Sequence, residues 1–424
     1  MAPTLEATPP RTPLETTTSQ LSNNGVAHTL EQTTQSLNAH AKGLPRLAPL
    51  DASKLQLTYT TSPRTPPVPG SAEEAAQKTC TDHMITCKWT HTEGWHAPEL
   101  KPYGPLSLMP TASCLHYATE CFEGMKLYRG MDGKLRLFRP DLNVKRMNMS
   151  ATRIALPGFD PDELLKLVAK LCAVDGAKWL PKETRKGGFL YIRPTMIASD
   201  PALGVQKPKE ALLYIILCCF PAMDTNTAGM RLLASRDDMV RAWPGGFGFA
   251  KVGANYGPTL LCQGEARSRG YDQILWLFGE KHNPLITEAG ASNFFVIWRN
   301  KETGKREMVT APLDDKIILD GVTRRSVLEL ARTRLHDMDV VERKIGIKEV
   351  WAAHEDGRLE EAFVCGTAFF VSSVSCINWR EQEMNIKVDE KGMGHYAGQI
   401  KDWLKGIMYG LESNSWGYIV EEQA

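Results

Sequence analysis

The sequence predicts an α/β protein with two folded domains behind a low-complexity N-terminal extension. Three observations carry this prediction: the composition changes near residue 78, strand and helix patterns alternate after it, and a turn-rich stretch interrupts them beyond residue 220. With 424 residues, of which 42% are hydrophobic, the chain can bury two cores. The expected divisions are an extension (1–78), a small α/β domain (79–220), an interdomain loop (221–230) and a larger domain (231–424).

The extension is rich in Thr, Ser, Pro and Ala, has almost no aromatic residue and lacks the periodicity of a packed element. Such a composition is typical of a flexible segment. A mitochondrial transit peptide would be rich in arginine and poor in acids, whereas the first 40 residues hold Arg11 against Glu6, Glu15 and Glu31. These residues favour a cytoplasmic location, with mitochondria as the alternative.

The small domain is expected to contain three strands around one amphipathic helix. The run A-L-L-Y-I-I-L-C-C is too short for a membrane helix, which needs about 18 apolar residues, and indicates a buried strand. The predicted strands are 134–138, 188–198 and 211–219, and the predicted helix is 161–180.

The larger domain is expected to alternate β runs with two helices. After Gly321, Val327, Leu328, Ala331 and Leu335 share one face at helical spacing, so a helix should begin near Val322. Its first backbone amides have no partners inside the helix and attract an anion. The predicted β runs are 271–278, 286–298, 307–311 and 362–376, and the predicted helices are 322–335 and 396–409.

Charge and cysteine content exclude several classes of protein. A net charge of +1 offers no broad basic surface for nucleic acid, and no span is apolar enough to cross a membrane. The ten cysteines contain no C-x-x-C pair and no metal-ligand cluster, which fits reduced thiols in an intracellular protein without a metal site.

Several segments carry residues suited to a phosphorylated heterocycle. Lys251 and Tyr256 lie in the Gly-rich stretch F-G-F-A-K-V-G-A-N-Y-G, where the backbone can approach a ligand closely. Glu288 begins one strand, Arg139 ends another, and Gly366 breaks a hydrophobic run. Taken one at a time, such residues are more often a surface arginine, a strand kink or an ordinary helix start.

Their order and spacing resemble the class IV pyridoxal-phosphate aminotransferases, and within them the branched-chain amino-acid aminotransferases. The likeness covers roughly residues 80–415 and rests on T-D-H-M, L-H-Y-A-T-E-C-F-E-G-M-K, Y-I-R-P-T, D-P-A-L-G-V and K-V-G-A-N-Y-G. The class signature matches at Glu288, Gly290, Asn293, Phe294, Phe295, Thr310, Leu319, Gly321, Val322 and Arg324. The resemblance implies a two-domain fold of type IV, with the larger domain a pseudo-barrel and pyridoxal 5'-phosphate between the domains.

The resemblance also implies roles around the cofactor. Lys251 would form the internal Schiff base and move the proton, Glu288 would face the ring nitrogen, and Tyr256 would bond to the phenolic oxygen. The phosphate would be held by Arg139, Val322, Thr323 and Thr367.

On the substrate side, the resemblance implies a pocket for an α-carboxylate, an apolar side chain and the second carboxylate of glutamate. Arg193 would bind that second carboxylate. The remaining contacts would come from Tyr117, Phe122, Tyr191, Thr367 and Ala368, and from Leu203 and Val205 of the neighbouring subunit in a homodimer. The implied reaction is ping-pong transfer between L-leucine, L-isoleucine or L-valine and 2-oxoglutarate.

One departure and two alternatives accompany this interpretation. Where many members of the family read E-x-G-T-M-N, this chain reads E-A-G-A-S-N, so Ala291 replaces a hydroxyl and could shift substrate preference. One alternative is an enzyme of other chemistry on the same fold, a D-amino-acid transaminase or an aminodeoxychorismate lyase. The other is a non-catalytic interaction protein, against which the intact Lys251, Glu288, Tyr256 and Arg139 argue.

Overall fold

The computed structural model describes residues 47–222, 228–368 and 370–423, and the chain from Ala48 onward folds as one compact unit built on two β-sheets. The strands are β1 (Gln56–Leu57), β2 (Cys80–Thr90), β3 (Gly94–Trp95), β4 (Glu99–Pro102), β5 (Glu120–Phe122), β6 (Met125–Arg129), β7 (Leu135–Phe138), β8 (Phe189–Ala198), β9 (Glu210–Cys219), β10 (Met230–Ala234), β11 (Gln273–Phe278), β12 (Leu285–Ala289), β13 (Ser292–Arg299), β14 (Arg306–Thr310), β15 (Asp339–Glu342), β16 (Leu359–Gly366), β17 (Phe370–Trp379), β18 (Gln382–Asn385) and β19 (Gly417–Val420). The helices are α1 (Ala72–Ala75), α2 (Ser113–Tyr117), α3 (Pro140–Arg153), α4 (Pro161–Trp179), α5 (Leu260–Ser268), α6 (Val322–Arg334), α7 (Ile347–Glu355) and α8 (His395–Met408). Short 3-10 helices cover Ala52–Lys54, Gly253–Asn255 and Gly257–Thr259.

The first sheet has the strand order β1-β4-β2-β9-β8-β6-β7-β19, with β3 beside β2 and β5 beside β8. Helices α3 and α4 cover it with apolar residues at helical spacing. Each helix begins with proline at its first position, where the missing N–H costs no hydrogen bond, and Asp160 caps α4. The buried apolar residues that α4 contributes include Leu164, Leu167, Val168, Leu171, Cys172 and Trp179.

The second sheet has the order β12-β11-β10-β17-β16-β13-β14-β15, and β12 also pairs with β13. That extra pairing closes six strands into a ring, as the resemblance to a pseudo-barrel implies. Helices α6 and α8 pack on it through Val327, Ala331, Ile400 and Leu404.

Most predicted elements are present within two residues of their expected ends, but two β runs are divided. The run 286–298 is the hairpin β12–β13, which turns at Gly290 with φ of 57°. The run 362–376 is the hairpin β16–β17. Gly290 and Gly366 interrupt the two stretches, but the strands on both sides of each glycine are buried, so each hairpin looks like one β run in the sequence.

The predicted N-terminal extension is corrected over its last part. Residues 1–46 lie outside the described residues, whereas the segment 48–78 packs with the first sheet. Leu50 is buried in its core, the Arg64 amide donates to Asp82 at 2.7 Å, and Glu74 pairs with Arg185 at 2.8 Å. Scattered side-chain contacts and the two-residue strand β1 hold this segment, and neither is long enough to produce a periodic pattern in the sequence.

The predicted large domain also needs correction, because β19 pairs with β7 in the first sheet. The predicted interdomain loop, 221–230, lies outside the described residues at 223–227, and β10 begins at Met230.

Candidate active site

A cavity of about 350 Å³ is lined by residues from both sheets. Its lining consists of Phe122, Gly124, Arg146, Tyr191, Arg193, Lys251, Tyr256, Glu288, Ala291, Asn293, Leu319, Gly321, Val322, Thr323, Cys365, Gly366, Thr367 and Ala368. Ten of the fourteen residues proposed from the sequence are therefore together. The four that do not line it are Arg139, Tyr117, Leu203 and Val205.

A larger groove of about 520 Å³ lies elsewhere, beside β10 and β17. Its charged side chains pair with one another, as in Arg236–Asp238 at 3.1 Å and Arg269–Glu381 at 2.7 Å. The smaller cavity is the better candidate because it holds a primary amine, a buried carboxylate and free backbone amides.

Lys251 is fixed in the cavity by contacts to its backbone on both sides. Its N–H donates to the Ser150 hydroxyl of α3 at 2.9 Å, and its carbonyl accepts from the Phe122 N–H at 3.1 Å. The side chain reaches Tyr256, with Nζ donating to the phenolic oxygen at 2.9 Å, and Nζ lies 4.6 Å from the centre of the Phe122 ring. The amine is thus aimed into the cavity from a rigid base.

Glu288 is the buried carboxylate, with 1% of its surface exposed. Its Oε1 accepts from the Leu319 N–H at 3.0 Å, while Oε2 lies 2.7 Å from Nη1 of Arg241 without completing a hydrogen bond. Burial raises the pKa of Glu288, and the charges of Arg241 and Lys251 and the Leu319 amide oppose that rise. One carboxylate oxygen is therefore available to a donor in the cavity.

The start of α6 provides an anion cradle. Gly321 precedes the helix and no side chain caps its end, so the first amides, those of Val322 and Thr323, have no helical partner. A Cβ on Gly321 would overlap the side-chain oxygen of Asn293. Only glycine therefore permits this close approach of the two segments.

The arginine in the cavity is Arg146 of α3, and the prediction of Arg139 is corrected. Arg139 points away from the cavity, where its guanidinium makes two hydrogen bonds of 2.9 Å to Glu329 and stacks on Trp416. Arg146 is buried and paired with Glu123, through Nε at 2.6 Å and Nη2 at 2.8 Å, and its Nη1 donates to the Asp320 carbonyl. Burial opposes the charged form of Arg146, but the Glu123 carboxylate outweighs it and raises the pKa.

Sequence reasoning missed Arg146, Glu123 and Arg241, although a signal for Arg146 exists. It lies on the buried face of α3 with Asn143, Met147 and Ser150, at helical spacing. A charged residue on a buried face is rare unless it is paired or functional.

The opposite wall of the cavity carries an aromatic and cationic group. Arg193 lies over the rings of Phe122 and Tyr191 at 4.7 and 5.1 Å, and its Nη2 bonds to the Tyr191 hydroxyl at 3.2 Å. Its buried Nε has no hydrogen-bond partner. This guanidinium is therefore held by stacking and can accept an anionic ligand. The neighbouring turn at Thr367 and Ala368 completes this wall.

Tyr117, Leu203 and Val205 lie on exposed surface outside the cavity. They are 42%, 55% and 86% exposed, and the Tyr117 hydroxyl donates to the Leu203 carbonyl. Within one subunit they do not reach the site.

Two other features are absent from the part of the chain that the structure describes. In that part of the chain, no group of three His, Cys, Asp or Glu side chains could hold a metal ion. Among the same residues, no helix is both long and apolar enough to cross a bilayer.

The family model for amino-transferase class IV matches residues 120–377. The chain is 48% identical over 381 residues to a Saccharomyces cerevisiae cytosolic branched-chain-amino-acid aminotransferase, covering 89% of this chain and 99% of that protein. It is 46% identical over 380 residues to the mitochondrial enzyme of the same yeast, covering 88% and 94%. It is 43% identical over 366 residues to the mouse cytosolic enzyme, covering 86% and 92%.

Solved structures show the same fold at lower identity. The branched-chain amino acid aminotransferase of Thermobaculum terrenum in its PLP form superposes with a TM-score of 0.62 at 22% identity, covering 80% of this chain and 98% of that one. The enzyme from Thermoproteus uzoniensis with norvaline gives a TM-score of 0.61 at 23% identity, covering 79% and 99%.

Proposed function

This chain belongs to the branched-chain-amino-acid aminotransferases of class IV, and from that membership we propose the part that each residue of its cavity plays. The enzyme transfers the amino group of branched-chain amino acids and uses pyridoxal phosphate as its cofactor. The observation that carries the residue assignments is one cavity that joins the Lys251 amine, the buried Glu288 carboxylate and the free amides of α6.

The residues of the cavity fit this cofactor. Glu288 has a buried oxygen without a hydrogen-bond donor, which suits a protonated ring nitrogen. The α6 amides suit a phosphate. When bound, pyridoxal phosphate supplies an aldehyde that captures amines and a ring that acts as an electron sink at the substrate α carbon.

Lys251 would hold the cofactor through Nζ, and the same Nζ would move the proton at the substrate α carbon. Its position is suited to this, because Tyr256 orients Nζ and the Phe122 ring faces it.

Arg146 and the start of α6 grip the phosphate. A guanidinium has five N–H donors, and the hydrogen bonds of Arg146 to Glu123 and Asp320 use three of them. The remaining donors and the amides of Val322 and Thr323 provide charge-assisted bonds to an anion. Thr367 adds a hydroxyl to this group.

Arg241 and Arg193 serve the two carboxylates of the site. Burial raises the pKa of Glu288 and the Arg241 charge opposes that rise, which favours the carboxylate that would hold a protonated ring nitrogen. Arg193, stacked between Phe122 and Tyr191, binds the second carboxylate of glutamate or 2-oxoglutarate. The same rings cover the aliphatic side chain of leucine, isoleucine or valine in the other half-reaction.

The working form is a homodimer. Several apolar side chains are exposed on segments near the cavity. Clusters of exposed apolar side chains mark surfaces that a protein partner covers. The exposed side chains are Leu115, Tyr117, Leu203, Val205, Leu260 and Leu261, each at least 42% exposed. In a dimer Leu203 and Val205 would reach the partner's pocket. Val205→Asp should yield monomers by light scattering and a higher KM for leucine, and an unchanged dimer would refute this placement.

The proposed compartment is the cytosol. The related yeast cytosolic enzyme is 48% identical and the mitochondrial one 46%, so relatives occupy both compartments. Fractionation of cells that express the full chain with a C-terminal tag tests this, and recovery in mitochondria would refute it.

The test of the residue assignments is the visible spectrum of the purified enzyme without keto acid. Excess L-leucine should abolish the absorption band of the Lys251–cofactor linkage, and D-alanine should leave it. Lys251→Ala should lack the band, and Lys316→Ala, a matched lysine outside the cavity, should retain it. A band that persists in the Lys251 variant would refute the assignment, and removal by D-alanine alone would favour a D-amino-acid transaminase.

A further inference from the structure

Two cysteines face each other across neighbouring strands of the first sheet. Cys80 of β2 is the register partner of Cys218 of β9. The Cys219 N–H donates to the Thr79 carbonyl at 2.8 Å, so the adjacent pair 79/219 is the hydrogen-bonded one and 80/218 is the non-hydrogen-bonded one. In such a pair the Cα atoms are about 4.5 Å apart, which falls within the range that a disulfide spans. The two thiols lie on the same face of the sheet and contact each other.

Cys80 is the more reactive of the two. The hydrogen bond from the Cys218 thiol lowers the pKa of Cys80 to about 7, the Tyr103 hydroxyl and the Arg64 charge act in the same direction, and burial opposes them. The same contact raises the pKa of Cys218, followed by burial. At neutral pH about half of Cys80 is therefore thiolate beside the Cys218 thiol, the combination that thiol oxidation requires. Most other cysteines have their pKa raised by burial, among them Cys87, to about 12.

The two cysteines lie close to the wall of the cavity that carries Tyr191 and Arg193, because β9 pairs with β8. Cys218 is in register with Tyr191 of β8, so Cys80, Cys218 and Tyr191 form one row on the same face. Arg193 is two residues along β8 on that face, and its charge acts on Cys218. Cys219 faces the opposite side and belongs to the apolar core. A covalent change at Cys218 would therefore alter the packing of the Tyr191 ring and of the Arg193 guanidinium that stacks on it.

We propose that Cys80 and Cys218 form a peroxide-sensitive dithiol site that closes to a cross-strand disulfide next to the substrate pocket. The Cys80 thiolate attacks one peroxide oxygen, an S–O bond forms as the O–O bond breaks, and hydroxide leaves and takes up a proton. The Cys218 thiol then attacks the sulfur of that sulfenic acid, the S–O bond breaks, and water leaves. Two thiols lose two electrons and two protons in total, and one hydrogen peroxide is reduced to two waters.

The consequence for activity rests on the proposed role of Arg193. Closing the bond moves the Cys218 sulfur toward Cys80 and away from its thiol position beside Tyr191, which changes the packing of that ring and loosens the stack that positions Arg193. The KM for glutamate should therefore rise severalfold, more than the KM for leucine, and dithiothreitol should reverse the change.

The test uses the reduced full-length holoenzyme treated with hydrogen peroxide, alkylated, and digested with trypsin without reduction. Two of the ten thiols should disappear, and the peptide 79–88 should be linked to the peptide 210–231, with fragmentation placing the bond at Cys80 and Cys218. A link through Cys87 or Cys219, or recovery of all ten thiols, would overturn the proposal.

Variants separate the thiol site from its effect on catalysis. Cys80→Ser and Cys218→Ser should each lose the link and keep the glutamate KM constant under peroxide. Cys114→Ser, a matched change at a half-buried cysteine, should still form it. If the disulfide forms in the wild-type enzyme but the KM for glutamate does not change, the thiol site is confirmed and the role proposed for Arg193 is wrong.

Discussion

Exchange of Arg146 for glutamine should weaken cofactor binding, whereas the same exchange at Arg139 should not. Arg146 lines the cavity with donors left over from its bonds to Glu123, and Arg139 is engaged with Glu329 outside it. A hydrogen bond from a charged group contributes about 1.5–3 kcal/mol. Loss of one such bond to the phosphate corresponds to a rise of about 10- to 150-fold in the Kd for pyridoxal phosphate.

Exchange of Arg146 alone also lowers the stability of the fold, and this effect has to be separated from the loss of cofactor binding. It leaves Glu123, with none of its surface exposed, as an unpaired buried charge, at a cost of about 3–5 kcal/mol in the free energy of unfolding. The double variant Glu123→Gln with Arg146→Gln removes both charges. It should recover much of the thermal stability and keep the weak cofactor binding.

The assay is fluorescence titration of the apoenzyme with pyridoxal phosphate, beside a urea unfolding curve for each variant. Arg139→Gln should bind the cofactor as wild type does and lose at most about 1 kcal/mol, because its pair with Glu329 is partly exposed. If Arg139→Gln weakened binding and the double variant did not, the placement of Arg146 at the phosphate would be wrong.

Further changes test other parts of the molecule. Gly321→Ala should weaken cofactor binding in the same titration because its Cβ meets Asn293, whereas Gly264→Ala, with open space around it, should not. Ala291→Thr should change the ratio of kcat/KM for leucine to that for other amino acids, because Ala291 lines the cavity and the smaller one of about 160 Å³ behind Glu288; an unchanged ratio would refute this. Glu422→Gln should lower the free energy of unfolding by about 1–3 kcal/mol at pH 7, because Glu422 pairs with the fully buried Arg129. The hydrogen bond to Arg129 holds the pKa of Glu422 below its ordinary value, so this stabilisation is present above pH ~4.5 and is lost as the pH falls through the lowered pKa. Urea unfolding from pH 7 to pH 3 should show the two proteins converging in acid, and a constant difference would contradict it.

Sequence reasoning located most of the fold and much of the site because both depend on local patterns. The ends of α4 and α6 follow from proline, glycine and helical spacing, and Lys251 and Glu288 follow from their motifs. The arginine that lines the cavity did not follow, because Arg139 and Arg146 lie seven residues apart and only packing shows which of them faces the cavity. Arg241 and Glu123 were hidden for the same reason. Arg241 pairs with Glu288, 47 residues away in the chain, and Glu123 pairs with Arg146, 23 residues away.

The place of β19 in the first sheet has a consequence for how the protein is made. β19 follows every strand of the second sheet in the chain. It is therefore synthesised only after all six strands of the ring. Until then β7 is an open edge, which is a template for pairing with another chain. A nascent chain in crowded cytoplasm would thus carry an adhesive edge for most of its synthesis. Shielding by a chaperone during translation should increase the yield of native enzyme.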